Sequence, residues 1–199
     1  MAPEGFPHML ALRDGSQVQL AILKPEEGKA LHAFYRSLPE EDRLNLKEDV
    51  RLSGWAERFL AKVSEGSIIS LVAKVDGEIV GEGSLYRTFY GWTRHVGEIR
   101  LTVGPSCRRK GLGRALATGL VKIATDLGIE KVIVRVVENQ VAAFHIAQRL
   151  GFMKEAVLRR HVVDLAGNKR DLLILANDIT QIWSSMEAML MDYEPDSGQ

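Results

Sequence analysis

Residues 103–120 read VGPSCRRKGLGRALATGL, and the fold of the chain can be inferred from this stretch. Two arginines and a lysine stand beside two glycines, between an apolar run that ends at Val103 and an amphipathic run that follows Gly113. The apolar, partly β-branched run is typical of a strand, and the leucine spacing after the glycines is typical of a helix. The stretch therefore predicts a strand, a glycine-rich loop and the first turns of a helix.

The predicted junction is suited to binding an anion. The first N–H groups of a helix have no partner inside the helix, and the helix dipole adds partial positive charge there. Gly111 and Gly113 lack a Cβ, so a phosphate group can approach the backbone closely. The loop therefore predicts a phosphate or pyrophosphate ligand, and four cationic side chains surround the same point: Arg108, Arg109, Lys110 and Arg114.

Two common phosphate-binding motifs do not fit these residues. The P-loop pattern places a lysine directly after its last glycine, whereas Lys110 precedes Gly111. The dinucleotide fingerprint G-x-G-x-x-G requires a third glycine at the position that Leu116 occupies. A different phosphate-binding loop is needed to explain the pattern.

The six residues from Arg108 to Gly113, RRKGLG, resemble the acetyl-CoA loop R/Q-x-x-G-x-G/A of the GNAT N-acetyltransferase family. As in that family, a strand at 99–103 precedes the loop, and Gly151-Phe152 stands where the family's second signature ends. In element order the chain is similar to the acetyltransferase domain of bacterial protein-lysine acetyltransferases. The alternative interpretation is an ordinary helix that happens to start with glycine.

The hydrophobic patterns place further elements around the loop. Period-two stretches with glycine-containing turns predict hairpins at Asp14-Gly15, Asp76-Gly77 and Gly167-Asn168. Helical patterns occur between residues 25 and 66, and a longer one follows Gly111. This order predicts an α/β (α+β) fold, with a mixed central sheet of about seven strands and helices on both faces. The resemblance implies, in addition, that two central strands splay apart.

The length of 199 residues fits one domain with short appendages. We expect an N-terminal tail over residues 1–9, an N-acetyltransferase (GNAT) domain over 10–180, and a C-terminal helix and tail over 181–199. The C-terminal helix is expected to cover the core or to form a dimer contact. The chain is thus expected to be a monomer or a homodimer.

Composition excludes several other classes of protein. The chain is 46% hydrophobic and 26% charged, and 26 basic residues balance 26 acidic ones, which argues against a general nucleic-acid-binding protein. Cys107 is the single cysteine, and the five histidines are scattered, so neither a disulfide framework nor a metal site is expected. Because no secretory signal and no membrane-spanning apolar run is recognised, we expect a cytoplasmic protein with no membrane or nucleic-acid partner.

The resemblance implies where acetyl-CoA, the expected co-substrate, would bind. Its pantetheine arm would lie between the strands that contain 101–103 and 134–136, bonded to backbone groups like an added strand. Asn139 would cap the following helix and contact coenzyme A; a plain N-cap role is an equal alternative. The expected cofactor-binding residues are Leu101, Thr102, Val103, Arg108, Arg109, Lys110, Gly111, Leu112, Gly113, Arg114 and Asn139.

Acetylation of an amine requires a group that accepts a proton, because a lysine-like amine has a pKa of about 10.4. The resemblance implies that Glu98 is this catalytic base, and strand alternation puts Glu98 on one face with Arg100. The alternative is a surface carboxylate paired with an arginine. Glu138 is the second choice as base, and His95 and His161 are interpreted as surface histidines.

The chain departs from the family at the acid that protonates the leaving thiolate. Many relatives supply a tyrosine four residues before the glycine of the Gly-Phe pair, but Ala147 occupies that position here. Tyr86 or Tyr90 would have to replace it, or the thiolate, with a pKa of about 8.5, would leave without a dedicated acid. Cys107 is interpreted as a bystander, because direct transfer needs no nucleophilic thiol.

The acceptor is expected to meet the early helices and the loop before the last strand. Acidic residues in the first of these would attract a cationic amine, either a protein lysine or a small molecule: Glu40, Glu41, Asp42, Glu48 and Asp49. A solvated helix face is the commoner reason for such a charge run. Phe89, Tyr90 and Trp92 either line the acceptor cleft or pack at the end of a hairpin.

Three functions therefore compete. The leading one is an N-acetyltransferase that moves an acetyl group directly from acetyl-CoA to an amine. Ala147 favours a non-catalytic acyl-CoA sensor of the same fold, whereas Glu98 opposes it. The third, nucleotide binding at Gly111 and Gly113, predicts that ATP or NAD protects the protein against heat and that coenzyme A does not.

Overall fold

The structure, a computed structural model, describes residues 5–164 and 166–180 of the chain. Within those residues, eight strands form one mixed sheet in the order β1-β2-β3-β4-β5-β6-β8-β7. The strands are β1 His8–Ala11, β2 Gln17–Ile22, β3 Ile68–Val75, β4 Glu78–Tyr86, β5 Val96–Val103, β6 Lys131–Val137, β7 Met153–Val163 and β8 Lys169–Asp178. The predicted mixed sheet is confirmed, with eight strands instead of about seven.

The helices pack on both faces of this sheet, as predicted. Their bounds are α1 Gly28–Ser37, α2 Glu40–Leu44, α3 Trp55–Ser64, α4 Leu112–Asp126 and α5 Val141–Arg149. One hydrophobic core lies between the sheet and the helices α1 and α3. A second core lies on the opposite face, beneath α4 and α5. Side chains of the central strands therefore point alternately into two separate environments.

Two parallel neighbours in the sheet, β5 and β6, separate partway along their length. Their pairing runs from Val96 opposite Lys131 to Ile99 opposite Val134. Beyond that point β5 stays paired with β4 as far as Val103, and β6 stays paired with β8 as far as Val137. A gap therefore opens between residues 100–103 and 135–137, at the place where the resemblance implied splayed strands.

Helix α4 is held tightly against the sheet beside this gap. Leu112, Leu116 and Leu120 recur every fourth residue and are fully buried, which stabilises the fold by about 1.5–3 kcal/mol for each side chain. Gly83 of β4 makes room for them, because a Cβ there would lie 2.8 Å from Leu120 Cδ1. The close contact fixes the N-terminus of α4 at the end of β5.

At one edge of the sheet, β7 departs from regular pairing. Its register with β8 shifts between Lys154 and Ala156 and again between Leu158 and Val162. Arg160 lies in the second irregular stretch with a positive φ of 53°. Its backbone N–H donates to the Asp171 carboxylate at 2.8 Å, which stabilises the distorted strand.

The chain boundaries differ slightly from those expected. β1 begins at His8, two residues inside the expected tail. The helix expected over residues 181–199 lies outside the described part of the chain. None of the helices described combines the length and apolar character needed to cross a membrane.

Candidate active site

The loop between β5 and α4, residues 108–114, is referred to below as the glycine loop. Gly111 is the N-cap of α4 and has a φ of 96°, in the left-handed region. A Cβ at this position would approach nothing closer than Arg13 Cγ at 3.8 Å, so backbone conformation, not space, requires glycine. The helix therefore begins at Leu112, directly after Gly111.

Gly113 serves a different purpose in the same loop. A Cβ at this position would lie 3.1 Å from Ile146 Cδ1 on α5 and 3.7 Å from Val103 Cγ2 on β5. The absence of a side chain therefore lets α5 approach the first turn of α4. The two glycines that the sequence singled out are needed for two separate physical reasons.

The first turn of α4 is arranged to hold an anion. The first backbone bond of the helix joins the Ala115 N–H to the Gly111 carbonyl at 3.1 Å. The amides that precede Ala115 lie ahead of the helical hydrogen-bond ladder, at the positive end of a 15-residue helix dipole. This is the geometry that favours a phosphate group.

Two of the four cations of the glycine loop, Arg108 and Lys110, are engaged in ion pairs that the sequence did not indicate. Arg108 Nη2 lies 2.5 Å from Asp42 Oδ2, and Arg108 Nε donates to the Val103 carbonyl at 3.1 Å. Lys110 Nζ lies 2.9 Å from Asp14 Oδ2, and this hydrogen bond raises the pKa of Lys110. The loop is therefore tied to α2 and to the β1–β2 turn before any anion binds.

The expected pantetheine-binding residues occupy the free side of β5. Leu101 and Val103 face the core beneath α4, whereas Thr102 faces the opposite side of the sheet. All three belong to the stretch of β5 that lies beyond its pairing with β6. The Val103 carbonyl is already bonded to Arg108, so it is not available to a ligand in this arrangement.

Asn139 does not cap α5, and the prediction that it does is wrong. The N-cap is Gln140, and the helix begins at Val141. The Gln140 side chain folds back, and its Oε1 accepts the Val137 N–H at 2.9 Å. Asn139 is exposed in the turn ahead of the helix, so its expected contact with coenzyme A stays a prediction.

Glu98 lies at the closed end of the gap, where β5 and β6 are still paired. Its Oε1 accepts a hydrogen bond from Arg100 Nε at 2.8 Å, and its Oε2 lies 3.5 Å from Arg135 Nη2. The Glu98 side chain is 14% exposed, and it forms the pairings with Arg100 and with an arginine of a neighbouring strand that the alternative interpretation expected. One carboxylate is therefore contacted by guanidinium groups from both sides of the gap.

Tyr86 lies directly opposite Glu98 in the register of β4 and β5. Its ring packs under the Arg100 guanidinium, with 3.8 Å between the guanidinium carbon and the ring centroid. Burial raises the pKa of Tyr86 to about 12, so it stays protonated at neutral pH. Tyr90, the other tyrosine considered, is 83% exposed and lies in the β4–β5 loop.

Glu82 is the residue of this region that sequence reasoning missed. It is buried on β4, where it accepts hydrogen bonds from Tyr35 Oη at 2.7 Å, from Ser70 Oγ at 2.6 Å and from Ser84 Oγ. Burial raises the pKa of Glu82, against the opposing effect of the three hydroxyl donors. The available signal was a carboxylate flanked by two glycines in the middle of a largely apolar strand.

The acidic residues expected to attract a cation are largely paired within the chain. Asp49 forms an ion pair with Arg51 at 2.9 Å, and Glu48 forms one with Lys62 at 3.3 Å. Asp42 is held by Arg108, as described above. The local field that would draw in a polycation is therefore weaker than the sequence indicated.

The remaining candidates lie away from the gap. Phe89, Tyr90 and Trp92 are exposed in the β4–β5 loop, and the Phe89 ring packs against the Arg87 guanidinium at 4.6 Å. A role for the three residues in an acceptor cleft stays a prediction. The side chains of Glu138, His95 and His161 are also exposed. Cys107 is buried in a single 3₁₀ turn before the glycine loop, and among the described residues no cluster of His, Cys, Asp or Glu is arranged to hold a metal ion.

Known proteins share this fold. The GNAT-family acetyltransferase of Streptococcus pneumoniae superimposes with a TM-score of 0.71 at 24% identity, over 81% of this chain and 99% of that one. The structure of yncA from Salmonella typhimurium, which contains its cofactor acetyl-CoA, superimposes with a TM-score of 0.69 at 20% identity, over 81% of this chain and 94% of that one. Because the sequence identities are this low, the superpositions show a shared fold and nothing more.

Sequence comparison adds a relative and a family. The chain is 34% identical over 88 residues to the L-amino acid N-acyltransferase MnaT of Escherichia coli strain K12. That match covers 43% of this chain and 51% of MnaT, so the chain matches about half the length of this relative. Residues 29–152, more than half of the chain, match the Acetyltransferase (GNAT) family. The chain therefore belongs to the GNAT acetyltransferase family.

Proposed function

We propose that this chain is an acetyl-CoA-dependent N-acetyltransferase that moves an acetyl group directly to a primary amine. The observation that carries the proposal is the position of Glu98 at the closed end of a gap whose open end meets the glycine loop. An acyl thioester that enters along β5 would bring its reactive carbon towards Glu98 while its diphosphate stays at the N-terminus of α4. Binding and chemistry are thereby served by the two ends of one strand.

Acetyl-CoA fits this arrangement through its extended shape. The pantetheine arm would lie against residues 100–103 of β5, whose backbone has no β6 partner there, in the manner of an added strand. The diphosphate would accept hydrogen bonds from the first amides of α4. Arg108 would have to exchange Asp42 for the diphosphate in order to contribute its charge.

Glu98 would act on the amine. An ammonium group gives up one proton to Glu98, directly or through a water molecule, and becomes nucleophilic. The amine nitrogen then attacks the thioester carbon; the C–N bond forms, the C–S bond breaks, and coenzyme A leaves as a thiolate. The nitrogen loses its second proton as the amide forms, so that one proton reaches the thiolate and one is released to solvent.

Among the residues that the structure describes, the proposed site has no obvious side chain to protonate the leaving thiolate of coenzyme A. Ala147 is buried in α5 and offers no proton, and Tyr90 is remote from the gap. Tyr86 is the tyrosine beside Glu98, but a pKa of about 12 makes it a poor donor to a thiolate of pKa about 8.5. Water therefore protonates the thiolate in the mechanism that we propose.

The sensor alternative makes the opposite prediction about turnover, and Glu98→Gln separates the two. The isosteric change removes the base, so kcat for acetyl transfer to an amine is expected to fall by about 100-fold to 1,000-fold. The dissociation constant of acetyl-CoA, measured by calorimetry, is expected to change little, because the glutamine side chain fills the same space. Glu78→Gln, an exposed carboxylate at the start of β4, is the matched control.

The outcomes of this experiment are distinct. Tight binding of acetyl-CoA with no transfer to any amine, in wild type and variant alike, would support the sensor. Thermal protection by ATP or NAD and none by coenzyme A would refute the acetyl-CoA site itself. A Glu98→Gln variant as active as wild type would remove Glu98 from the mechanism.

A further inference from the structure

The charges beside Glu98 are unbalanced towards positive. Arg100 on β5 and Arg135 on β6 stand on opposite sides of the gap, and both contact the one Glu98 carboxylate. Two guanidinium groups, which stay protonated at any physiological pH, thus face a single negative charge. A site of this kind favours a ligand that brings a carboxylate with it.

In the described part of the chain, the two other nearby carboxylates, Glu82 and Glu48, form no ion pair with Arg100 or Arg135 that would balance the positive charge. Glu82 is enclosed by three hydroxyl groups, and Glu48 is paired with Lys62. Both act on Arg100 through longer-range charge interactions. Neither forms an ion pair with Arg135, whose pair among the described residues is with Glu98.

The two arginines differ in how firmly they are held. Arg100 is bonded to Glu98 at 2.8 Å, and its guanidinium rests on the Tyr86 ring, so its position is fixed. The Arg135 contact is longer, at 3.5 Å, and its side chain is 39% exposed. Arg135 is therefore the guanidinium that can turn towards an incoming anion.

Glu98 and the two arginines hold one another in position. One oxygen of the Glu98 carboxylate faces Arg100, and the other faces Arg135. An acceptor that draws Arg135 onto its own carboxylate would free one oxygen of Glu98 at the moment the amine arrives. The freed oxygen would then face the ammonium group of the acceptor.

We propose that Arg135 binds the carboxylate of the acceptor, and that the acceptor is a free α-amino acid. This inference rests on the proposed function and specifies the acceptor of the same site. Glu98 and Arg135 are opposite charges 3.5 Å apart, and an α-amino acid carries an ammonium and a carboxylate a similarly short distance apart. The zwitterion pairs with both residues at once, whereas a polyamine or a lysine side chain satisfies Glu98 and leaves Arg135 unpaired.

The bonds and protons change as they do for any primary amine in the proposed mechanism. The amino acid enters as a zwitterion, its ammonium loses one proton to Glu98, and the neutral amine attacks the thioester carbon. The products are the N-acetyl amino acid and coenzyme A, with one proton released. The carboxylate takes no part in bond making and stays on Arg135 throughout, which makes Arg135 a specificity residue.

The test compares matched acceptors with the wild-type protein and saturating acetyl-CoA. Each of the common amino acids is assayed beside its amide, which keeps the amine and removes the negative charge. Since hydrogen bonds to charged groups are worth about 1.5–3 kcal/mol, kcat/KM for the acid is expected to exceed that for the amide by about 10-fold to 100-fold. An ω-amino acid such as 6-aminohexanoate, whose charges are far apart, is expected to behave like the amide.

Arg135→Gln provides the decisive variant. It is expected to lower kcat/KM for the preferred amino acid by about 10-fold to 100-fold more than kcat/KM for the matching amide, so that the preference disappears. Arg135→Lys keeps the charge but loses the planar fork, and is expected to fall between the two. Arg159→Gln, which removes an exposed arginine on β7, is the matched control, and thermal unfolding verifies that each variant is folded.

The results distinguish this inference from the proposed function. Amides, polyamines or lysine peptides acetylated as well as free amino acids would overturn the acceptor assignment while the enzyme stands. A preference for free acids that survives Arg135→Gln would overturn the role of Arg135. Acetyl-CoA binding without acetylation of any amino acid would overturn it as well, and failure to bind acetyl-CoA would remove the enzyme assignment itself.

Discussion

The two ends of β5 build their parts of the site in different ways. At the open end, the glycine loop relies on backbone: a left-handed Gly111, a close approach at Gly113 and the first amides of α4. At the closed end, Glu98 is surrounded by side chains from its own strand and from both neighbouring strands: Arg100 on β5, Arg135 on β6 and Tyr86 on β4. A backbone site occupies one short stretch of sequence, whereas a side-chain site is assembled across the sheet.

Binding of acetyl-CoA at the open end should weaken when the backbone of the glycine loop is strained. Gly111→Ala forces an L-residue to a φ of 96°, which costs about 1–2 kcal/mol and distorts the loop, so the dissociation constant of acetyl-CoA is expected to rise about tenfold. Gly128→Ala is the matched control, since Gly128 has a φ of 69° and open space at the far end of α4. Calorimetry that found the same affinity for both variants would contradict a backbone-built anion site.

Glu82, which lies on β4 opposite Thr102 beside the open part of the gap, should reveal itself in the pH dependence of stability. Because the folded-state pKa of Glu82 is raised above its ordinary 4.5, the folded protein keeps a proton that the unfolded chain has lost as pH climbs from 4.5. Glu82 therefore makes the free energy of unfolding fall with rising pH in that window, by at most about 1.4 kcal/mol for each pH unit. Glu82→Gln is expected to flatten this part of the curve.

Urea unfolding between pH 4.5 and 7 measures the effect. Tyr35, whose pKa is raised well above 10 by burial, stays protonated throughout this range and does not contribute to the slope. Glu78→Gln, at an exposed carboxylate on the same strand, is expected to leave the slope as it is. An unchanged slope in Glu82→Gln would mean that the buried carboxyl titrates as it does in the unfolded chain.

The smallest effect is expected at the ion pair that joins the glycine loop to α2. Asp42→Asn removes the partner of Arg108 and frees that guanidinium for the diphosphate, so acetyl-CoA should bind about twofold to threefold more tightly. The gain is small because a partly exposed ion pair contributes about 1 kcal/mol or less. The difference in affinity between 50 mM and 200 mM salt should widen, and weaker binding would indicate that Asp42 instead holds Arg108 in its productive position.

The sequence predicted the parts of the molecule that are encoded locally. Alternation, turn residues and leucine spacing predicted the mixed sheet and the helices on both faces. The glycine loop was found because its two glycines and the helix that follows are contiguous in the chain. Glu98 was proposed from resemblance and strand alternation, and its role in catalysis stays a prediction.

The parts that the sequence did not predict depend on partners far away in the chain. Glu82 became recognisable only when Tyr35, 47 residues earlier, was found to donate to it. Arg108 and Asp42 are 66 residues apart, and no local pattern indicates that they pair. Asn139 was mistaken for a cap because residue type alone does not show that α5 begins at Val141, with Gln140 at the N-cap position.

The irregular edge strand β7 has a consequence for how the chain behaves at high concentration. A regular, flat edge offers a ladder of N–H and carbonyl groups to which another molecule can add a strand. The two register shifts of β7, the positive φ of Arg160 and the charges of Lys154 and Arg159 interrupt any such ladder. We expect a straightened, uncharged β7 to promote edge-to-edge polymerisation, which the native distortion resists.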